Sequence, residues 1–213
     1  MKEKTVYIGF KISKFVIVIM LFGTSCVGGK YTYEFDSGKQ LDFSTGKWIL
    51  NNTESNSKIR YSKKLYEETH EEFKKILGDS LIDLTALRNN ALVKPNIRFE
   101  PTPLELKELY KNSKCDFLIN VRGEIIANNA SSFYTNNHSS SYTTSNRSLV
   151  VIRIYDLKSG ALISSSNANA IDTETHSELE KDGALNWTTR AEPMMLRAVE
   201  GLVLKYKKHR LDK

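Results

Sequence analysis

Apolar positions follow two periods along the chain. Tyr61, Leu65, Thr69, Phe73, Ile76 and Leu77 recur at spacings of three and four, one face of a helix over about 62–77, and Gly78 stops it. Thr102-Pro103-Leu104-Glu105 is a helix start: Thr is the cap, Pro fits the first helical position and Glu can close a capping box. The helix it opens carries Leu106, Leu109 and Tyr110 and runs to about Ser113. Ala191, Met194, Met195, Ala198, Val199, Leu202, Val203 and Tyr206 form a long helical stripe, with Pro193 in its first turn. Between these lie shorter runs of strand character, at 47–51, 81–84, 116–127, 149–156 and 161–170. In 116–127, Phe117, Ile119 and Val121 share one face and Leu118 takes the other, while Gly123 marks a bulge or a close backbone approach.

The order strand, helix, strand, helix, three strands, helix predicts an α+β fold: one mixed sheet with a C-terminal antiparallel segment and helices packed on it. Residues 47–208 are read as a single domain, and the Gly-rich, polar stretch 26–46 as a flexible tether, in which alternating Tyr31, Tyr33 and Phe35 admit an edge strand. Residues 128–148 read as a polar loop, because fifteen of these 21 residues are Ser, Thr or Asn. Phe133, Tyr134 and Tyr142 are the large groups in it, suited to docking against a partner.

Composition narrows the function classes. The chain has 213 residues, 40% apolar and 26% charged, which excludes a multi-span membrane protein and a wholly disordered chain. Two Cys exclude a disulfide scaffold, and Cys115, before an apolar run, reads as a small buried core residue. The four His are scattered, and His138 beside Ser139 has no carboxylate near it in sequence to orient it. Glu67-Glu68 and Glu71-Glu72 read as a solvated helix face. Asp79-Ser80-Leu81 reads as a helix exit into a strand. No nucleophile elbow, zinc-helix motif, phosphate loop, dinucleotide fingerprint or C-x-x-C is present, so no catalytic residue, metal site or cofactor is expected and the chain is read as not an enzyme.

The amino terminus carries Lys2, Lys4, Lys11 and Lys14 against Glu3, then eight apolar residues over 15–22, then Gly23-Thr24-Ser25-Cys26. A positive flank, a short apolar segment and small residues before a boundary describe a secretory signal. Crossing the hydrocarbon takes about 20 apolar residues, so a permanent span is the weaker reading. Ending in Ser-Cys, the segment resembles a bacterial lipoprotein signal of Bacteroidetes type. That resemblance implies that residues 1–25 are removed and that Cys26 is the lipid attachment site, carrying acyl groups such as palmitate. One acyl chain binds a membrane only marginally, whereas two or three on one residue hold. Without residues 1–25 the net charge falls from +6 to +3, so a nucleic-acid partner is not indicated. The basic run 205–210 reads as a solvated helix end.

Cys115-Asp116-Phe117-Leu118-Ile119-Asn120-Val121-Arg122-Gly123, the strand 149–156 ending in Asp156, and Lys158-Ser159-Gly160-Ala161-Leu162-Ile163 together are similar to a pattern shared by a group of envelope domains. The group comprises the curli secretion-channel lipoprotein, the lipoprotein activators of penicillin-binding proteins and the TolB amino-terminal domain. It implies a mixed sheet and an assembly or interaction role, and transfers no catalytic residue. The expectation is a lipid-anchored protein of the bacterial envelope, in the outer membrane facing the periplasm, that binds or assembles an envelope protein or glycan partner. The rival readings are a hydrolase acting on envelope glycans or peptides and an accessory subunit of a secretion complex.

Overall fold

In the computed structural model, the structure describes residues 29–88, 97–136, 139–177 and 189–212, apart from the side chains of 130–142 and 175–177. Seven strands form one mixed sheet: β1 (Lys30–Ser37), β2 (Trp48–Leu50), β3 (Glu54–Ser55), β4 (Leu81–Asp83), β5 (Phe117–Asn136), β6 (Ser139–Asp156) and β7 (Ala161–Ser177). The helices packed on it are α1 (Ile59–Leu77), α2 (Leu84–Arg88), α3 (Pro103–Ser113) and α4 (Ala191–His209). The strand order is β1-β7-β6-β5-β2-β4, with β3 beside β5. The early strands, joined through helices, pair in parallel, and β5, β6, β7 and β1 pair antiparallel. The structure is the α+β mixed sheet that the order of elements predicts.

Alternation assigns the two faces. Ile119 and Val121 of β5, Val150, Ile152 and Ile154 of β6, and Ala168 and Ala170 of β7 join the main core under α1 and α4, with Leu65, Phe73, Met194, Val199 and Tyr206. Leu118 takes the other face, with Ile49, Leu84, Leu106, Leu109 and Cys115. That second layer covers the β4-β2-β5 side and reaches Tyr155 near the end of β6, which is why Trp48, Ile49 and Leu50 are all fully buried. Each fully buried Leu or Ile contributes roughly 1.5–3 kcal/mol. Cys115 is a buried free thiol, and burial pushes its pKa up.

The close approach expected at Gly123 is present: a Cβ there would stand 2.6 Å from Met195 Sδ and 2.7 Å from Leu65 Cδ2. On α4, a Cβ at Gly201 would meet the Tyr33 hydroxyl at 2.0 Å. The Tyr206 hydroxyl lies 2.7 Å from Ser164 Oγ and 2.8 Å from Ser166 Oγ, both buried, and burial raises its pKa. Its ring meets those of Phe35, Phe43 and Phe73 at centroid distances of 4.9, 6.2 and 6.3 Å.

Local signals give local structure. Glu105 N donates to Thr102 Oγ1 at 3.3 Å and Thr102 N to Glu105 Oε2 at 2.8 Å, completing the capping box. Gly78, at φ 55°, ends α1, and a 3-10 turn leads through Asp79 and Ser80 into β4. Lys158 N and Ser159 N donate to Asp156 Oδ1, which shapes the turn that Gly160 closes at φ 76°. Asp116 Oδ2 accepts from Lys47 N at 2.8 Å, so the Asp and Gly of the quoted pattern build turns and strand junctions.

Three expectations are corrected. Most of the stretch read as a tether belongs to the sheet, because β1 pairs with β7 from Lys30 to Ser37 and packs Tyr31, Tyr33 and Phe35 against the main core. Residues 128–136 and 139–148 are not loop: they belong to β5 and β6, with Phe133 opposite Tyr142, and β7 adds a third strand as far as Ser177. Backbone pairing satisfies this segment without an apolar face, so its hydrophobic pattern is silent. Glu72, read as solvated, is 5% exposed and pairs with Lys75.

Gly38 sits at φ +59°, where a Cβ would lie 1.9 Å from the Ile163 carbonyl oxygen. Gly38→Ala is predicted to cost about 1–3 kcal/mol. Thermal unfolding should show Tm lower by about 3–10 °C.

Candidate functional site

Beyond Ile125 the late strands outrun the helices and form a three-stranded arm. Its root is a buried polar cluster. Asn146 is fully buried, and Asn129 N donates to its Oδ1; Asn129 itself adopts φ 57°, a left-handed conformation that Asn tolerates. Asp172, opposite Asn146 in register, accepts from Thr189 N at 2.7 Å. Glu192, in the first turn of α4, accepts from Asn128 Nδ2 at 3.3 Å at the favourable end of the helix dipole. These contacts tie β5, β6 and β7 to the start of α4. Register shifts between Ile125 and Ala127 and between Ala127 and Ala130 place bulges at the same level.

The arm's edges are its second feature. Asn56 Oδ1 accepts from Ile125 N at 2.7 Å and its Nδ2 donates to Ile125 O at 3.1 Å, as a neighbouring strand would. Past this point, among the described residues, no strand pairs with the outer edge of β5, and β1 leaves β7 unpaired after Ile171. Residues 130–145 contain no Lys, Arg, Asp or Glu. Native edges are guarded by charges, Pro or short length; the outer β5 edge has neither charge nor Pro over 126–136, whereas the outer β7 edge carries Asp172 and Glu174.

Of the residues singled out from sequence, Cys26 and His138 lie outside the described residues. Phe133 and Tyr142 stand directly opposite each other, and Tyr134 is opposite Ser141. Tyr142 is in turn opposite His176 of β7, so Phe133, Tyr142 and His176 occupy one row across the arm. Sequence reading missed His176 because it placed the end of β7 at residue 170.

Three other polar clusters bear on chemistry. Tyr66 OH donates to Asp83 Oδ1 at 2.6 Å, and His70 Nε2 lies 3.4 Å from the same oxygen. Burial, then Asp83, pushes the Tyr66 phenol up, which keeps it protonated. On the second face Phe99 is buried beneath the guanidinium groups of Arg122 and Arg153, 4.1 and 5.2 Å from its ring centroid. Arg122 pairs with Glu54 at 2.8 Å and Arg153 with Glu100 at 2.7 Å, while Asn120 Nδ2 donates to the Phe99 carbonyl at 2.9 Å. These pairs clamp the segment before α3 onto the sheet. Third, an open cleft of about 370 Å³ at the first turn of α1 is lined by Asn52, Thr53, Ser55, Ser57, Lys63 and Tyr66. It offers hydroxyl and amide groups with one cation. Among the described residues no group of three His, Cys, Asp or Glu is placed to hold a metal ion, and no helix is long and apolar enough to cross a membrane.

No family model matches the chain, and no curated protein matches it. Solved structures similar to it include the PelC dodecamer from Paraburkholderia phytofirmans, 9% identical over 83% of this chain and 97% of that one, with a TM-score of 0.44. The hypothetical protein CT253 from Chlamydia trachomatis is 13% identical over 78% and 98%, with a TM-score of 0.37. Lipoprotein GNA1162 from Neisseria meningitidis is 9% identical over 75% and 99%, with a TM-score of 0.33. No residue role is transferred from any of them.

Between α1 and α4, Glu68 is held above the usual carboxylate range by burial, then by Glu200, Glu71 and Glu72. A raised acid disfavours the folded state once ionised, so the penalty develops as pH rises through the folded pKa and is absent below the unfolded one. Glu68→Gln should therefore raise Tm at pH 7 by about a degree or two. The gain should vanish in melts below the ordinary carboxylate range.

Proposed function

We propose that the protein is a non-catalytic binding or assembly factor of the bacterial envelope, held at the membrane by acyl groups on Cys26. On this reading it takes an extended segment of another envelope component along its arm by strand addition. The observation that carries the proposal is the unpaired, uncharged outer edge of β5 along the three-stranded arm. An added strand gains main-chain hydrogen bonds, and side chains in alternate positions supply selectivity. The row Phe133, Tyr142, His176 is where such selectivity would be read. The amino-terminal pattern ending in Ser25-Cys26 supports the anchor, and an outer-membrane, periplasm-facing location is part of the same proposal.

Photo-crosslinking in intact cells tests the proposal. A crosslinker at position 132 or 175, one on each outer strand, should give adducts to an envelope component. Ser132→Lys with Thr135→Lys should abolish the adduct from the β5 edge, with Tm changed by no more than about 2–4 °C. In the same cells Cys26→Ala should move the protein out of the membrane fraction. A lipidated chain that gives no adduct from either edge would contradict the binding role, and a Cys26→Ala chain that stays in the membrane would contradict the anchor.

A further inference from the structure

The fold determines which end of the domain a lipid on Cys26 would hold against the membrane; this inference rests on the anchor proposed above. Cys26 and Gly29 are three residues apart, a reach of at most about 10 Å. Gly29 is already packed: a Cβ on it would lie 3.0 Å from Met194 Cε and 3.3 Å from the Ile171 carbonyl oxygen. From Lys30 onward the chain is a sheet strand. The acyl groups therefore enter the bilayer beside the first turn of α4 and the root of the arm, and no long tether separates domain from membrane.

The first turn of α1 stands at the same end, since Asn56 is bonded to Ile125 and Ser55 Oγ lies 3.9 Å from Met195 Sδ. This surface is basic and studded with isoleucine. Ile59 is 89% exposed between exposed Lys58 and Arg60, with Lys64 one turn on. The first turn of α1 holds no acidic residue and no side chain caps it, so the positive end of a 19-residue helix adds to these charges. The row Lys30, Ile171 and Arg147 belongs to the opposite face of the sheet and is not part of this surface. Ile126, 53% exposed, lies beside the Asn56 contact. Among the described residues of this end, Glu54 pairs with Arg122, Asp172 accepts from Thr189 N and Glu192 accepts from Asn128, and Glu124 and Glu174 are half-buried.

We propose that the α1 side of this end is a membrane-docking face that rests on anionic lipid, Lys58, Arg60 and Lys64 meeting headgroup phosphates while Ile59 and Ile126 enter the interface. Cations near an anionic surface and apolar groups at its boundary each add a hold that neither provides alone. The arm leaves from the same end of the domain. Residues 130–145 have no charge and no alternating apolar face, a composition for the headgroup layer and not for the hydrocarbon. A partner strand would thus be met at the membrane surface.

Nitroxide labels on the lipidated full chain test the orientation. The chain, in a Cys115→Ala background, is placed in vesicles of phosphatidylglycerol and phosphatidylethanolamine. Labels at 59 and 126 should lose accessibility to an aqueous nickel chelate several-fold, while labels at the far-end positions 104 and 211 should not change. Lys58→Glu, Arg60→Glu and Lys64→Glu together should restore accessibility at 59 with the acyl groups still attached. Labels at 59 and 126 as accessible as those at 104 and 211, on a chain whose Cys26 is acylated by mass spectrometry, would overturn the docking face and leave the anchor standing. A chain without acyl groups on Cys26 would overturn the anchor itself and, with it, the distance argument.

Discussion

The close seating of α4 across one face of the sheet is the constraint on which the rest of the structure depends. It is possible because the positions beneath the helix are small: Ala168 and Ala170 on β7, Gly123 on β5 and Gly201 on the helix itself. Tyr206 closes the far end of that contact, its hydroxyl satisfied by Ser164 and Ser166 and its ring set among Phe35, Phe43 and Phe73. Burying the phenol without those serines would leave an unsatisfied group costing about 1–3 kcal/mol. Where α4 begins, at Ala191, the covered core ends. The strands do not end there, and this mismatch between helix length and strand length creates the arm.

The arm's root reflects the same mismatch. Beyond the first turn of α4 no helix among the described residues covers the strands, and there Asn128, Asn146, Asp172 and Glu192 make hydrogen bonds in place of apolar packing. Bulges at Ile125–Ala130 sit at the junction, where a strand changes direction or ends a register. Beyond it the three strands pair through their backbones. Its central strand is satisfied on both sides, and its outer strands are satisfied on one.

Legibility in the sequence follows this division. Wherever an element buries one face, its period shows: α1, α3 and α4, and the inner parts of β5, β6 and β7, lie within a few residues of the spans that spacing predicts. The capping box at Thr102 and Glu105 is legible because its chemistry is local. The outer reaches of the three strands are illegible because they alternate polar with polar, and β3 because two residues carry no period. Cross-strand rows such as Phe133, Tyr142 and His176 need the register, which only the strand ends reveal. Glu72 looks solvated by type, and its burial follows from the approach of α1 to α4.

The account's central claim is that residues 128–136 and 139–148 are sheet and not loop. Amide hydrogen exchange of the full chain, resolved by mass spectrometry, tests it most directly. Residues 139–145 face β5 along their whole length and β7 from Ser141 onward, so their amides should exchange far more slowly than those of an unstructured chain. Exchange across 139–145 at the rate of an unprotected chain would contradict it.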